Sequence, residues 1–181
     1  MNKSIPKWQL TGFLFTSVAG TLLHFLFDWT GGNPVAGLIS AVNESIWEHM
    51  KLLFYPMVIV AFIQSRFGKP LPDCFWQVKL LGILAGLLLI PILYYSYTGI
   101  LGVEADWFNI TIFFIAAAFA FRLESALFLK GFPCSGCARG AIAVLVLISL
   151  IFSLLTFFPP EIPFFRDPVT GTYGYQKFRN F

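Results

Sequence analysis

Five apolar stretches separated by short polar turns dominate this sequence. They cover residues 8–28, 44–66, 75–97, 107–129 and 141–158. A helix of about twenty residues rises about 30 Å, the thickness of one hydrocarbon core. In lipid every backbone polar group must be satisfied within the chain, so such stretches span as helices. Composition agrees: 57% of residues are apolar and only 12% are charged, about half the charged share of a soluble domain. The expected architecture is therefore all-α, an integral membrane bundle of about five transmembrane helices. At 181 residues the chain forms one domain, 1–181, with a C-terminal tail over 159–181. A net charge of +3, spread along the chain, gives no nucleic-acid surface.

Tryptophans favour the membrane–water interface, so Trp8 and Trp29 bracket the first helix. Lys3 and Lys7 precede it like the start of a signal peptide, but no small-residue cleavage site follows, so the segment reads as retained. Residues 35–42 are apolar but too short to span, and read as an interfacial or re-entrant helix. Asn43 is the expected N-cap of the second spanning helix, which would place Glu44 in its first turn. Pro56 should kink the second helix or loosen one of its hydrogen bonds, the third helix contains Pro91, and Pro159-Pro160 ends the fifth helix.

An odd number of spans puts the termini on opposite sides. Lys3, Lys7, Arg66, Lys69, Lys79, Lys130 and Arg139 fall on one side. Lys51, Arg166, Lys177 and Arg179 fall on the other. This bias predicts a cell-membrane protein with a cytoplasmic N-terminus and an external C-terminus.

Polar groups concentrate in one place. His24 and Asp28 end the first helix, and Glu44, Ser45, Glu48 and His49 open the second. Both histidines of the chain belong to this set. Ionisable residues near a bilayer are costly and mark function by default. Imidazole with carboxylate suits zinc or another first-row divalent ion, giving His24, Asp28, His49 and Glu48 as expected metal ligands. Glu44 or Glu48 would then act as general base on bound water. Ser45 with His49, four residues on, is the alternative nucleophile and base, although no nucleophile-elbow motif accompanies it. A hydrogen-bonded polar rim without a metal is the plainer alternative. Cys134 and Cys137 form a Cys-x-x-Cys pair, either redox-active, half of a zinc site, or two ordinary thiols. Arg122 and Glu124 would snorkel or pair across helices. The tail residues Tyr173, Tyr175, Phe178 and Phe181 suit a flap over the polar mouth, with Arg166 or Asp167 touching it.

Three stretches together carry a resemblance: His24-Phe25-Leu26-Phe27-Asp28-Trp29, Asn43 to Lys51, and Phe165-Arg166-Asp167-Pro168 with Thr170-Gly171-Thr172-Tyr173-Gly174. They resemble an uncharacterised family of small multi-pass bacterial membrane proteins with no assigned role. The resemblance implies a single-domain membrane protein over most of the chain and carries no activity with it.

Three functions fit these residues. One is a metal-dependent membrane-embedded hydrolase acting on a lipid or lipid-linked substrate at an outward-facing His/carboxylate pocket. Another is a subunit that binds or transports a small solute or ion. The third is a membrane assembly partner without catalysis. The bilayer is the expected partner in all three.

Overall fold

The computed structural model describes residues 4–68, 71–72, 74–133 and 138–176. The expected features at Lys3, Lys69, Cys134, Cys137, Lys177, Phe178, Arg179 and Phe181 lie outside these. Six α-helices are present and, among the described residues, no strand: α1 Ser4–Trp29, α2 Pro34–Gly37, α3 Ile46–Phe67, α4 Phe75–Leu101, α5 Asp106–Lys130 and α6 Ala138–Phe157. All but α2 are long and apolar enough to cross a membrane.

α3 occupies the centre. It is the most buried of the five long helices, and α1, α5, α4 and α6 pack in that order around it. Its inward residues Leu53, Phe54, Met57 and Val60 meet Ile83 and Leu87 of α4 and Ala116, Ala120 and Phe121 of α5. The outer helices turn Leu14, Val18, Leu88, Ile115, Val146 and Leu150 outward. That distribution places lipid-facing apolar surface around a packed interior. Gly20 lets α1 approach closely: a Cβ there would lie 2.5 Å from the Phe113 ring and 2.7 Å from the Leu52 carbonyl.

Several boundaries differ from the expected ones. α1 begins four residues before Trp8, and α4 continues past Tyr97 to Leu101. α4 stops where Gly102 adopts φ +67°, a left-handed cap suited to glycine. α3 and α4 both continue as helix through Pro56 and Pro91. The short helix after α1 is a single turn, with Asn33 Oδ1 accepting from the Val35 amide.

The start of α3 is the consequential difference. Its N-cap is Ser45, not Asn43, and Ser45 Oγ accepts from the Glu48 amide. Asn43 instead accepts from the Ser45 amide at 3.0 Å. Glu44 therefore precedes the helix and no longer shares a helical face with Glu48. The two carboxylates go different ways.

The tail returns over the end of the bundle that carries the histidines. Tyr175 donates its hydroxyl to the Gly32 carbonyl at 3.0 Å and its amide to the Thr156 carbonyl at 2.9 Å. Its ring packs edge-on against Phe27 and Phe157. Phe165 lies against Trp47, with ring centroids 4.8 Å apart. Asp167 serves the tail's own turn, accepting from Val169 and Thr170. Contact between tail and pocket runs through Val169, not through Arg166 or Asp167.

Candidate metal centre

α1, the segment leading into α3 and the first turn of α3 bring His24, Glu44 and His49 together. One ligand atom from each lies within 4.8 Å of the others. Glu44 stands between the imidazoles: its Oε1 is 3.7 Å from His24 Nε2, and its Oε2 is 3.4 Å from His49 Nε2. The two rings are 5.5 Å apart, centroid to centroid. All three side chains keep partial access to solvent, 30% for His24, 46% for Glu44 and 21% for His49, so an ion can reach them from water.

Hydrogen bonds to a carboxylate run about 2.7–3.2 Å between heavy atoms. Both contacts here are longer. Donor atoms bound about 2.0–2.1 Å from a tetrahedral ion lie about 3.3 Å from each other, by the geometry of the tetrahedron. The separations of Glu44 from the two imidazoles are close to the edges of such a polyhedron. Two histidines and one glutamate are a donor set that zinc accepts. His49 is also oriented for the role, because its Nδ1 meets the Ser45 carbonyl at 3.0 Å, leaving Nε2 free as the ligand atom.

The cluster lies in a cavity of about 390 Å³. Phe25, Leu52, Ile110, Phe113 and Phe114 give it apolar walls. Phe25, Ile110 and Phe114 are exposed on the lipid-facing surface of α1 and α5. Asn109 lends a polar edge. Its Oδ1 accepts from Tyr97 at 2.6 Å, which turns its NH₂ away from that hydroxyl. Asn109 has no local signature in the sequence, because it is an asparagine inside an apolar helix.

The other expected site residues go elsewhere. Glu48 is buried and pairs with Lys51 at 2.6 Å. It also accepts from the Val42 amide at 3.0 Å and from Thr156 Oγ1 at 2.8 Å. Lys51 in turn donates to the Gly37 carbonyl at 2.8 Å and to Thr156 Oγ1 at 2.9 Å. Every ammonium proton and both carboxylate oxygens are thus used, and the network ties the loop after α2 to α3 and α6. Glu48 is committed to this staple. Ser45 is the cap of α3, with its Oγ on an amide and not on His49. Asp28 is exposed and falls outside the three-residue cluster.

A second buried ion pair lies at the opposite end. Lys79 of α4 meets Glu124 of α5 at 2.5 Å and donates to Gln9 of α1 at 3.3 Å. Glu124 pairs across helices, as one of the two expected roles for it required. Lys51 and Lys79, both counted in the charge bias behind the orientation, are buried side chains. Cys74, just before α4, is disulfide-bonded.

No curated protein and no solved structure matches the chain. A family of unknown function, DUF6512, matches residues 1–175, and the chain belongs to it.

Proposed function

We propose that this protein is a divalent-metal-dependent membrane hydrolase whose metal is held by His24, Glu44 and His49. The observation that carries the reading is the convergence of the three side chains: Glu44 stands 3.7 and 3.4 Å from the two imidazoles, and one ligand atom of each residue lies within 4.8 Å of the others. Three protein ligands leave a position open, the arrangement of catalytic and not structural zinc sites. A bound ion there would lower the pKa of water to near neutrality and polarise a substrate oxygen. His49 is aligned by the Ser45 carbonyl, and Glu44 offers two oxygens, so one can ligate while the other receives a proton. Asn109 is placed to hold a polar substrate group at the cavity edge. The aromatic walls below suit an acyl or isoprenoid chain, which supports a lipid or lipid-linked substrate.

The test is turnover. Purified protein with zinc, supplied with mixed micelles of phospholipids and polyprenyl phosphates, should release a water-soluble headgroup product detectable by mass spectrometry. His49→Ala should reduce the rate by about 100-fold or more, a loss at the upper end of that for even an outer-shell residue of a metal site. Turnover undiminished in a His24→Ala/His49→Ala double variant would contradict the assignment.

We infer further that the histidine end faces outward. The positive-inside bias supports this orientation. The bonded Cys74 weighs against it, because cytosolic thiols normally stay reduced. Fusions at the C-terminus separate the two. Alkaline phosphatase there should be active and green fluorescent protein dark. The reverse pattern would place the centre in the cytoplasm.

A further inference from the structure

The large cavity beside the histidine cluster has a mouth between two helices. Thr21 and Phe25 stand four apart on α1, Ile110 and Phe114 four apart on α5, and all four are exposed residues that line the cavity. Residues four apart share a helical face, so the two pairs flank an opening between α1 and α5. Thr21 donates its hydroxyl to the Ser17 carbonyl at 2.9 Å, so it asks for no polar partner from an occupant. At the inner end the cavity closes at Gly20, Leu52 and Phe113. There α1 comes so near that a Cβ on Gly20 would lie 2.5 Å from the Phe113 ring. His24, Glu44, His49 and Asn109 supply the polar end.

The depth of the mouth identifies what lies outside it. Trp29 ends α1 and Trp107 stands in the first turn of α5, and both are exposed. Tryptophans favour the membrane–water interface, so the two mark its level. At about 1.5 Å per residue, Phe25 and Thr21 lie about 6 and 12 Å below Trp29, and Ile110 and Phe114 about 5 and 10 Å below Trp107. The mouth is therefore on the hydrocarbon side of the tryptophans, where the bundle meets lipid chains and not water. Protein interiors leave few voids larger than a water molecule, yet about 390 Å³ stays open here. Ligand pockets run from roughly 300 to 1,000 Å³. This one is at the small end, sized for one chain and not for a whole two-chain lipid.

We propose that the cavity takes one acyl chain of a bilayer phospholipid, which enters sideways between α1 and α5 while the second chain stays in the bilayer. The polar end then meets the glycerol and phosphate of the same lipid. Asn109, whose Oδ1 is taken by Tyr97 at 2.6 Å, offers its NH₂ to one of their oxygens. The bilayer's own chains are what the mouth opens on, which favours acyl over isoprenoid. Such a lipid is the substrate class of the hydrolase proposed above, and which of its bonds reacts rests on that reading. Binding itself stands on the cavity and is measured without turnover.

Native mass spectrometry of the full chain, with phosphatidylglycerol as the probe, tests it. Protein stripped with chelator is loaded with the lipid and washed in detergent. Wild type should retain about one phosphatidylglycerol per chain, as a single cavity requires. Thr21→Trp and Ile110→Trp put bulk into the mouth at exposed positions, and each should lower retention by about tenfold or more. Leu150→Trp, equally bulky and exposed on α6, should leave it unchanged. Lysophosphatidylglycerol should compete as well as the two-chain lipid, because one chain is all that enters. Gel filtration establishes folding, and the two mouth variants lie on different helices, so either one that folds decides the result. Zinc retention, read on parallel samples equilibrated with zinc, separates the lipid from the metal. Lipid bound with zinc at background would contradict the metal centre and support the lipid site. Zinc held by wild type that retains no lipid would overturn the lipid site alone. Equal retention by wild type and both mouth variants would overturn it too, because the lipid would then sit on the general surface. So would displacement of phosphatidylglycerol by an equal concentration of farnesyl phosphate, which would assign the cavity to an isoprenoid chain.

Discussion

Lys51→Ala is expected to destabilise the detergent-solubilised protein by roughly 3–5 kcal/mol, the cost of removing one partner from a buried ion pair. For a chain of this size that lowers the melting midpoint by roughly 6–20 °C. The cause is the carboxylate left behind. Glu48 is almost fully buried, and among the described residues it would lose its one cationic partner in a site that water does not reach. The Gly37 carbonyl and the Thr156 hydroxyl would lose a donor at the same time. Glu48→Gln with Lys51→Met should recover most of the loss, because a neutral amide still accepts from Val42 and no charge stays buried. Thermal melts followed by fluorescence-detected gel filtration measure all three proteins. A Lys51→Ala midpoint within about 2 °C of wild type would mean that the staple is solvated and carries little energy.

The same pair tests an assignment made from sequence alone. Glu48 as a metal ligand requires that its replacement by Gln strip the ion with little loss of stability. Glu48 within the staple requires the opposite.

The five spanning helices were legible because lipid imposes long apolar runs, and nothing in the turns imitates them. Their ends were less so. α4 runs on through Thr98 and Gly99 because Gly102, not the tyrosine rim, supplies the left-handed stop. The start of α3 offered two capping residues, Asn43 and Ser45. The spacing Ser45-x-x-Glu48 is that of a capping box, and it favours the serine, whose Oγ does take the Glu48 amide. Moving the cap by two residues releases Glu44 from the helix face and sends Glu48 inward. That shift, small along the chain, separates a site carboxylate from a structural one.

The buried pairs were hidden for a different reason. Glu48 and Lys51 stand three apart, a spacing that on most helices marks a solvated surface pair. Lys79 and Glu124 are forty-five residues apart and meet only because α4 packs on α5. Asn109 carries no motif, and its role comes entirely from what surrounds it.

Metal content tests the ion between His24, Glu44 and His49 most directly. Wild-type protein, purified without chelator, equilibrated with zinc and desalted, should retain about one zinc per chain, as a single three-ligand site requires. His24→Ala and His49→Ala should each fall to background while eluting as folded protein, because two remaining ligands hold zinc poorly. Glu44→Gln should weaken retention, since an amide is a poor substitute for an anionic ligand. Zinc at background in folded wild type, or full retention after both histidines are replaced, would contradict the account.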